Sequence, residues 1–147
     1  MEYTGEQVRS DYHAVVREEV LELVPSGCKR VLDLGGGIGA SAAFLKATGK
    51  VAEATVVDLI GDKCLPEIDH AYACDLEDLE LLKKISDEAG PFDLILCLDV
   101  LEHLRDPWSV VDCLADLLEP GGVIVSSIPN VRNYELLVPL LLRLSSS

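Results

Sequence analysis

The stretch Val31-Leu-Asp-Leu-Gly-Gly-Gly-Ile-Gly39 decides the fold of this 147-residue chain. Its apolar first half predicts a short buried strand over 30–34. Its second half predicts a tight turn, because glycine reaches backbone conformations that a Cβ atom disfavours. Residues 40–48 follow with a helical pattern that Gly49 ends. A strand, a glycine turn and a helix in this order are typical of an α/β fold that binds a ligand at the turn.

The alternation of strands and helices continues along the rest of the chain. Strands are predicted at 53–58, 71–74, 93–98 and 123–127, and helices at 6–24, at 76–89 and from Pro107 onward, after the N-cap Asp106. The last of these helices is expected to turn Trp108, Val111 and Leu114 inward. This order predicts a doubly wound, mostly parallel Rossmann-like sheet of about five strands with helices on both faces.

The length of the chain predicts one domain over 1–147. We expect an N-terminal helix in 1–29, a cofactor-binding core in 30–128, and a C-terminal apolar helix and tail in 129–147. Residues 134–144 are too apolar for one solvated helix. We therefore expect this segment to cover the edge of the sheet or to form a homodimer interface.

The charge of the chain is strongly acidic, with a formal net value of −14. A nucleic-acid surface needs clustered Lys and Arg, so nucleic acid is not an expected partner, and an anionic membrane surface is disfavoured for the same reason. Residues 61–106 hold 13 Asp or Glu against four Lys or Arg. This stretch is either a solvated face or the source of a field that attracts a cationic ligand.

The cysteines and the apolar runs indicate the compartment. The chain has five cysteines and no CxxC pair, so neither a zinc site nor a disulfide framework is predicted. The polar N-terminus lacks a signal-peptide pattern, and no apolar run reaches the roughly 18–20 residues needed to cross a bilayer. These features predict a cytoplasmic protein with no membrane span.

Two acidic residues narrow the chemistry of the ligand at the glycine turn. Asp58 ends the second strand, where it can accept hydrogen bonds from ribose hydroxyls of a dinucleotide or of an adenosyl ligand. Asp33 precedes the glycines, where its charge would oppose a pyrophosphate but suits an ammonium or sulfonium group. Alternatively, Asp33 only binds amides of the turn. An NAD-type dinucleotide is thus a distant alternative to a cationic adenosyl ligand.

With these residues in place, segment 31–39 resembles the first motif of class I S-adenosylmethionine (SAM)-dependent methyltransferases. Four further segments resemble motifs of that family in the correct order, namely Asp58, 74–78, 92–103 and 118–125. The likeness covers roughly residues 8–133. It implies SAM as the cofactor and S-adenosylhomocysteine (SAH) as the product. In the family an antiparallel strand pair follows later in the chain, and here that pair is expected to be missing.

The resemblance assigns roles at the carboxyl ends of the strands. Asp58 would hold the ribose and Asp75 the adenine amino group, with Leu76 beside the ring, although Asp75 could instead cap the next helix. The cofactor-binding residues that it implies are Asp33, Gly35, Gly36, Gly37, Gly39, Asp58, Leu59, Asp75, Leu76, Cys97 and Leu98.

His103 is the candidate catalytic base for the acceptor. A helix beginning near residue 99 would place Asp99, Glu102 and His103 on one face, where the acids could orient the imidazole. The alternative is that His103 packs beside the methionine end of the cofactor. No histidine follows in the sequence to complete the metal arrangement of related families, so no metal is expected.

The acceptor and the activity have alternatives of their own. Segment 127–133 resembles a branch of the family that is associated with glycosyltransferases, which implies a saccharide or other small-molecule acceptor. The first hypothesis is therefore a SAM-dependent methyltransferase acting on such an acceptor. The second is a SAM-binding module or fragment without independent catalytic activity.

Overall fold

The computed structural model describes residues 21–60 and 63–127 and the backbone of 134–137. Of the helix predicted over 6–24, residues 6–20 lie outside the described residues. The apolar segment 138–144, on which the homodimer prediction depends, also lies outside them.

The described strands form one six-stranded sheet in the order β3-β2-β1-β4-β5-β6. Strands β1 to β5 run parallel to their neighbours, and β6 runs antiparallel to β5. The five parallel strands confirm the predicted sheet. The strand bounds are β1 Arg30–Leu34, β2 Glu53–Asp58, β3 His70–Ala73, β4 Phe92–Leu98, β5 Leu118–Ser127 and β6 Tyr134–Leu137.

Three α-helices connect the described strands: α1 (Ala40–Ala47), α2 (Leu79–Ala89) and α3 (Pro107–Asp116). Asp106 caps α3 as predicted, because its side chain accepts a hydrogen bond from the amide of Ser109. Trp108 was predicted to face inward, and this is wrong, since it is 80% exposed. The buried face of α3 is formed by Val110, Val111, Cys113 and Leu114, and Trp108 lies on the opposite side of the first turn.

The sheet separates two apolar cores. Residues alternate along β4, so that Leu94 and Leu96 face one core while Ile95 and Cys97 face the other. Helices α2 and α3 cover the side of Ile95, and α1 covers the side of Leu94. The prediction of helices on both faces is therefore confirmed.

Strand β6 corrects the prediction of an apolar helix over 134–144. Residues 134–137 pair with β5, with Tyr134 opposite Ser127 and Leu137 opposite Ile124. A short apolar run is compatible with a strand as well as with a helix. Here its backbone groups pair with those at the edge of β5, and the run is therefore a strand. The sheet thus has one antiparallel strand at the edge where the sequence predicted none.

The amino ends of the parallel strands carry structural contacts. Asp93 accepts hydrogen bonds from the amides of Lys29 and Arg30 at 2.6 and 2.9 Å, and the guanidinium of Arg30 pairs with Glu53 at 2.8 Å. These residues line a cavity of about 440 Å³. Asp93, which lies in a motif of the resemblance, therefore holds the start of β1. Within the described residues, no helix is long and apolar enough to cross a membrane.

Candidate functional site

The candidate site lies where the five parallel strands end. The chain leaves β1 for β2 on one side of the sheet centre and later returns to β4 on the other, so β1 and β4 are adjacent but not consecutive. In doubly wound sheets a crevice opens at this switch point, beyond the carboxyl ends of the strands. The loops after β1, β2, β3 and β4 therefore border one crevice.

The glycine turn after β1 is held by the neighbouring strand. The amide of Gly35 donates to the carbonyl oxygen of Val57 at 2.7 Å, which continues the pairing of β1 and β2 past the end of β1. Gly35, Gly37 and Gly39 have φ values of 72°, 60° and 86°, in the left-handed region that disfavours other residues. The backbone conformation is by itself enough to require glycine at these three positions.

Close packing is a second reason for glycine at position 35 and a separate reason for glycine at position 36. A Cβ on Gly35 would stand 2.6 Å from Cγ2 of Val100 and 3.3 Å from Cδ1 of Leu76. A Cβ on Gly36 would stand 2.5 Å from the carboxyl carbon of Asp33. The chain's own side chains therefore occupy the space beside these two glycines, and Leu76 and Val100 converge on the turn from the loops after β3 and β4.

Asp58 joins the end of β2 to the glycine turn. Its Oδ2 accepts a hydrogen bond from the amide of Gly37 at 2.9 Å, and its Oδ1 accepts one from the amide of Ile60 at 3.0 Å. Asp58 is only half-buried. A carboxylate offers about four acceptor positions, so two of them are still available to a ligand. Leu59, the next residue, is 73% exposed at the rim.

Asp33 lies beneath the turn, and only 2% of its surface is exposed. Burial, and then the negative charge of Asp58, raise its pKa to about 7, while a hydrogen bond from the amide of Ala42 acts in the opposite direction. The structure thus places Asp33 close against the turn at Gly36 and bonds it to the first turn of α1. Its carboxyl is also an acidic group poised near neutral pH, next to the loop where a cation was predicted.

The β3–α2 loop, defined here as residues 74–78, contains the predicted adenine-binding acid. Oδ1 of Asp75 accepts a hydrogen bond from the amide of Glu77 at 2.9 Å. The N-cap of α2 is Asp78, whose side chain accepts from the amide of Leu81. The alternative reading of Asp75 as the helix cap is therefore wrong, and its exposed carboxylate instead shapes the loop.

The β4–α3 loop, defined here as residues 99–106, differs from its prediction. Asp99 has a φ of 55°, and only Leu101–His103 form a single 3-10 turn. The predicted helix from residue 99, which would align Asp99 with Glu102 and His103, is therefore wrong. The left-handed backbone of Asp99 is fixed by buried Ser127, whose hydroxyl donates to Oδ1 of Asp99 at 2.9 Å and accepts from its amide at 3.1 Å.

His103 points away from the protein rather than into a packed site. Its side chain is 77% exposed, and its Nε2 lies 3.5 Å from Oε1 of Glu102. The structure does not bring it into contact with the glycine turn. Among the described residues, no cluster of three or more His, Cys, Asp or Glu is arranged to hold a metal ion.

Cys97 and Leu98, at the end of β4, were predicted to contact the cofactor. The side chain of Cys97 is fully buried in the core under α2 and α3, and burial, followed by the charge of Asp33, raises the pKa of its thiol. Any contact of Cys97 with a ligand must therefore come from its backbone. Leu98 is half-buried, on the opposite face of the strand.

Comparison with known proteins decides between the chemistries that this crevice allows. A family model described as a methyltransferase domain matches residues 8–142, which include every described strand and helix. The chain belongs to the class I SAM-dependent methyltransferases. The family resemblance stated from the five motifs is thereby confirmed, and the dinucleotide alternative is excluded.

Curated relatives of this methyltransferase domain include ubiquinone biosynthesis O-methyltransferases. The protein of that name from Psychrobacter arcticus is 32% identical over 136 residues, which cover 88% of this chain and 52% of the relative. The one from Aromatoleum aromaticum is 34% identical over 111 residues, which cover 73% of this chain and 46% of the relative. The chain thus spans about half the length of the curated relatives that it matches.

Solved structures agree on the fold of the methyltransferase domain. An O-methyltransferase family protein from Burkholderia thailandensis superposes with a TM-score of 0.58 at 18% identity, covering 82% of this chain and 40% of that one. A SAM-bound amino pentose methyltransferase from Micromonospora echinaspora gives 0.57 at 20% identity, covering 88% and 59%.

The residues present fit the family's cofactor. Half-buried Asp58 has acceptor capacity left beside the glycine turn, and exposed Asp75 can accept from an amino group. The groups that set the pKa of Asp33 include no cation, so a positively charged ligand would supply one. Leu76 and Val100 offer apolar surface at Gly35.

Three residues that shape the crevice were not predicted from the sequence: Glu77, Val100 and Ser127. Ser127 could have been noticed as a polar residue at the end of an apolar strand. Glu77 and Val100 carried no signal, because their partners lie 28 or more positions away in the chain.

Proposed function

We propose that this domain binds SAM in the crevice at the carboxyl ends of β1, β2 and β4, and that the whole protein transfers the methyl group to a small-molecule acceptor. The single observation that carries the proposal is the contact of Asp58 with the glycine turn, at 2.9 Å from the amide of Gly37. This contact places a carboxylate with free acceptor capacity beside the switch point of a fold that belongs to this family.

Different residues contact different parts of the cofactor. Asp58 accepts hydrogen bonds from the ribose hydroxyls, Asp75 accepts one from the adenine amino group, and Leu76 lies against the adenine ring. The glycine turn faces the methionine end, and ionised Asp33 beneath it stabilises positive charge there. SAM supplies an already activated methyl group when it is bound, so the residues around it have chiefly to orient the acceptor.

The proposed acceptor is a small molecule with an oxygen nucleophile. Support comes from the curated relatives at 32–34% identity, which carry the name O-methyltransferase. A saccharide acceptor, which the sequence of 127–133 implied, stays a second possibility for experiment. His103 stays the candidate base, although its 77% exposed side chain would have to be covered by the acceptor or by another part of the protein.

The cofactor proposal is tested by calorimetric titration with SAH. Replacing Asp58 with Ala should weaken binding by about 1.5–3 kcal/mol, because ribose hydroxyls lose a charged acceptor. Asp87→Ala, which removes an exposed carboxylate from α2, is the matched control and should bind as wild type does. Wild type should also prefer adenosine to its 2′,3′-dideoxy analogue, and Asp58→Ala should lose that preference. Absence of SAH binding to wild type at millimolar excess would overturn the proposal.

Catalysis is tested separately with labelled SAM. The domain is incubated with phenolic and saccharide acceptors, and transfer of label identifies the acceptor class. Binding of SAH without transfer to any acceptor favours the alternative of a SAM-binding module. His103→Ala should lower the rate of transfer without changing SAH affinity if His103 is the base.

Assembly and location are part of the same proposal. We propose a homodimer, which a strictly monomeric mass at micromolar concentration would contradict. We also propose a reducing compartment, the cytoplasm, because Cys74, Cys97 and Cys113 are thiols buried in the apolar core under α2 and α3.

A further inference from the structure

The carboxylate of Glu77 connects two loops that border the crevice from different strands. Its Oε1 accepts a hydrogen bond from the amide of Arg105 at 3.0 Å, and its Oε2 accepts one from the amide of Asp106 at 3.3 Å. Glu77 belongs to the β3–α2 loop, whereas both donors belong to the β4–α3 loop. One side chain therefore spans the gap between the adenine side and the reacting side of the proposed site.

The same residue is tied to the acid proposed to read adenine. The amide of Glu77 donates to Oδ1 of Asp75 at 2.9 Å, so the orientation of the Asp75 carboxylate and the backbone of Glu77 depend on each other. An amino group bound at Asp75 would fix that carboxylate. Asp75 is thus linked to the β4–α3 loop through Glu77, by one hydrogen bond at the Glu77 amide and two parallel ones at its carboxylate.

The β4–α3 loop is anchored at both ends by carboxylates. At its beginning, Asp99 is held by Ser127 at the end of β5, and at its end Glu77 holds the amides of Arg105 and Asp106. Between these anchors, Glu102 and His103 are exposed. The position of His103 thus depends on Glu77 as well as on the strand that precedes the loop.

We propose that Glu77 is a positioning residue that couples occupancy of the adenine site to the conformation of the β4–α3 loop. This inference rests on the proposed function, because it takes Asp75 as the adenine acceptor. Coupling of this kind is reciprocal: if the ligand stabilises the attached loop, the attached loop stabilises the ligand by the same factor. Glu77 need not touch the cofactor to change its affinity.

The experiment measures hydrogen exchange at the amides of Arg105 and Asp106, without ligand and with saturating SAH. In the unliganded protein, Glu77→Ala should speed exchange at these amides by about tenfold, because both lose their acceptor. Glu77→Gln keeps one acceptor oxygen and should give an intermediate rate. Glu119→Gln, an exposed side chain at the amino ends of the strands, is the matched control and should leave the rates unchanged.

The response to SAH separates coupling from a purely structural role. In wild type, SAH should slow exchange at both amides, and Glu77→Ala should abolish this effect. The factor by which SAH slows exchange should equal, to within about twofold, the factor by which Glu77→Ala weakens SAH binding. Transfer assays should show a lower kcat in Glu77→Gln with a smaller change in KM for SAM.

Two results would overturn the inference, and they are distinguishable. If wild type binds SAH but the variants keep its affinity and its protective effect, Glu77 only supports the fold and the proposed function stands. If wild type does not bind SAH, the proposed function fails and this inference fails with it. Glu77→Gln decides the question even if Glu77→Ala does not fold.

Discussion

Asp33 keeps its proton over a pH range in which the unfolded chain has lost it. Burial and the charge of Asp58 raise its pKa from 3.8 to about 7. A carboxyl whose pKa is higher in the folded state stabilises the fold fully at pH values below its unfolded-state pKa. This stabilisation is lost as pH rises through its folded-state pKa. Between about pH 4 and pH 7, Asp33 therefore lowers the free energy of unfolding by on the order of 1.4 kcal/mol per pH unit, and above pH 7 the loss stops.

Replacing Asp33 with Asn removes this titration at nearly constant shape. Relative to the variant, wild type should lose stability as pH rises from 4 to 7, by on the order of 4 kcal/mol in total, with a constant difference above pH 7. Urea unfolding between pH 4 and pH 8.5 measures the difference. Asp87→Asn, at an exposed position of α2, should follow wild type. A constant difference across the whole range would mean that the Asp33 carboxyl is ionised throughout.

At the residue scale, the acidic residues at the ends of strands could be predicted from the sequence, whereas those whose hydrogen bonds connect separate loops could not. Asp58 and Asp75 were predicted as site residues because Asp58 is the last residue of a recognisable strand and Asp75 closely follows one. Asp99 was assigned to a helix, because its left-handed φ of 55° depends on Ser127, which lies 28 positions away. Contacts of such long separation follow from the assembled sheet and have no local pattern.

At the scale of the element, the glycine turn requires glycine both for its positive φ and for close packing, and two substitutions can separate these requirements. Gly35 and Gly121 both have positive φ, of 72° and 85°, but a Cβ at Gly121 would meet nothing within 4 Å, whereas one at Gly35 would meet Val100 at 2.6 Å. Both alanine variants should lose about 1–2 kcal/mol to the backbone alone. Gly35→Ala should lose more and should also weaken SAH binding, because Val100 must move at the crevice.

Thermal unfolding and SAH titration of the two variants test this difference. Gly121→Ala should bind SAH as wild type does, since it lies at the amino end of β5, away from the site. Equal loss of stability and equal affinity in both variants would show that the packing against Val100 and Leu76 does not matter for the ligand.

The elements themselves were largely predictable from local pattern. Strand β2 matches its predicted bounds, and β3 and β4 begin one residue earlier than expected. Their apolar and β-branched runs, bounded by Gly, Pro or Asp, specify buried parallel strands without help from the rest of the chain. Strand β6 was mistaken for part of a helix, because four apolar and polar residues at a sheet edge take their conformation from the edge they pair with.

At the scale of the whole molecule, the net charge of −14 is expected to create a field that distinguishes SAM from SAH. The two ligands share every group that Asp58 and Asp75 are proposed to bind, and they differ by one methyl group and one positive charge on sulfur. The field should therefore favour SAM. Its contribution from exposed carboxylates depends on salt, whereas the contribution of buried Asp33 is screened much less.

The ratio of SAM to SAH affinity should consequently fall by several-fold when the ionic strength rises from about 0.01 M to about 1 M, as the Debye length shortens from about 30 Å to about 3 Å. Because salt acts alike on the apolar contacts that both ligands share, the ratio of the two affinities reports the effect of the positive charge on sulfur. The preference that remains at high salt belongs to groups close to the sulfonium. In Asp33→Asn this remainder should shrink, while the salt-dependent part stays as in wild type. Calorimetric titrations of both ligands at several salt concentrations measure the ratio, and a ratio independent of salt would mean that the acidic surface is only a solvated face.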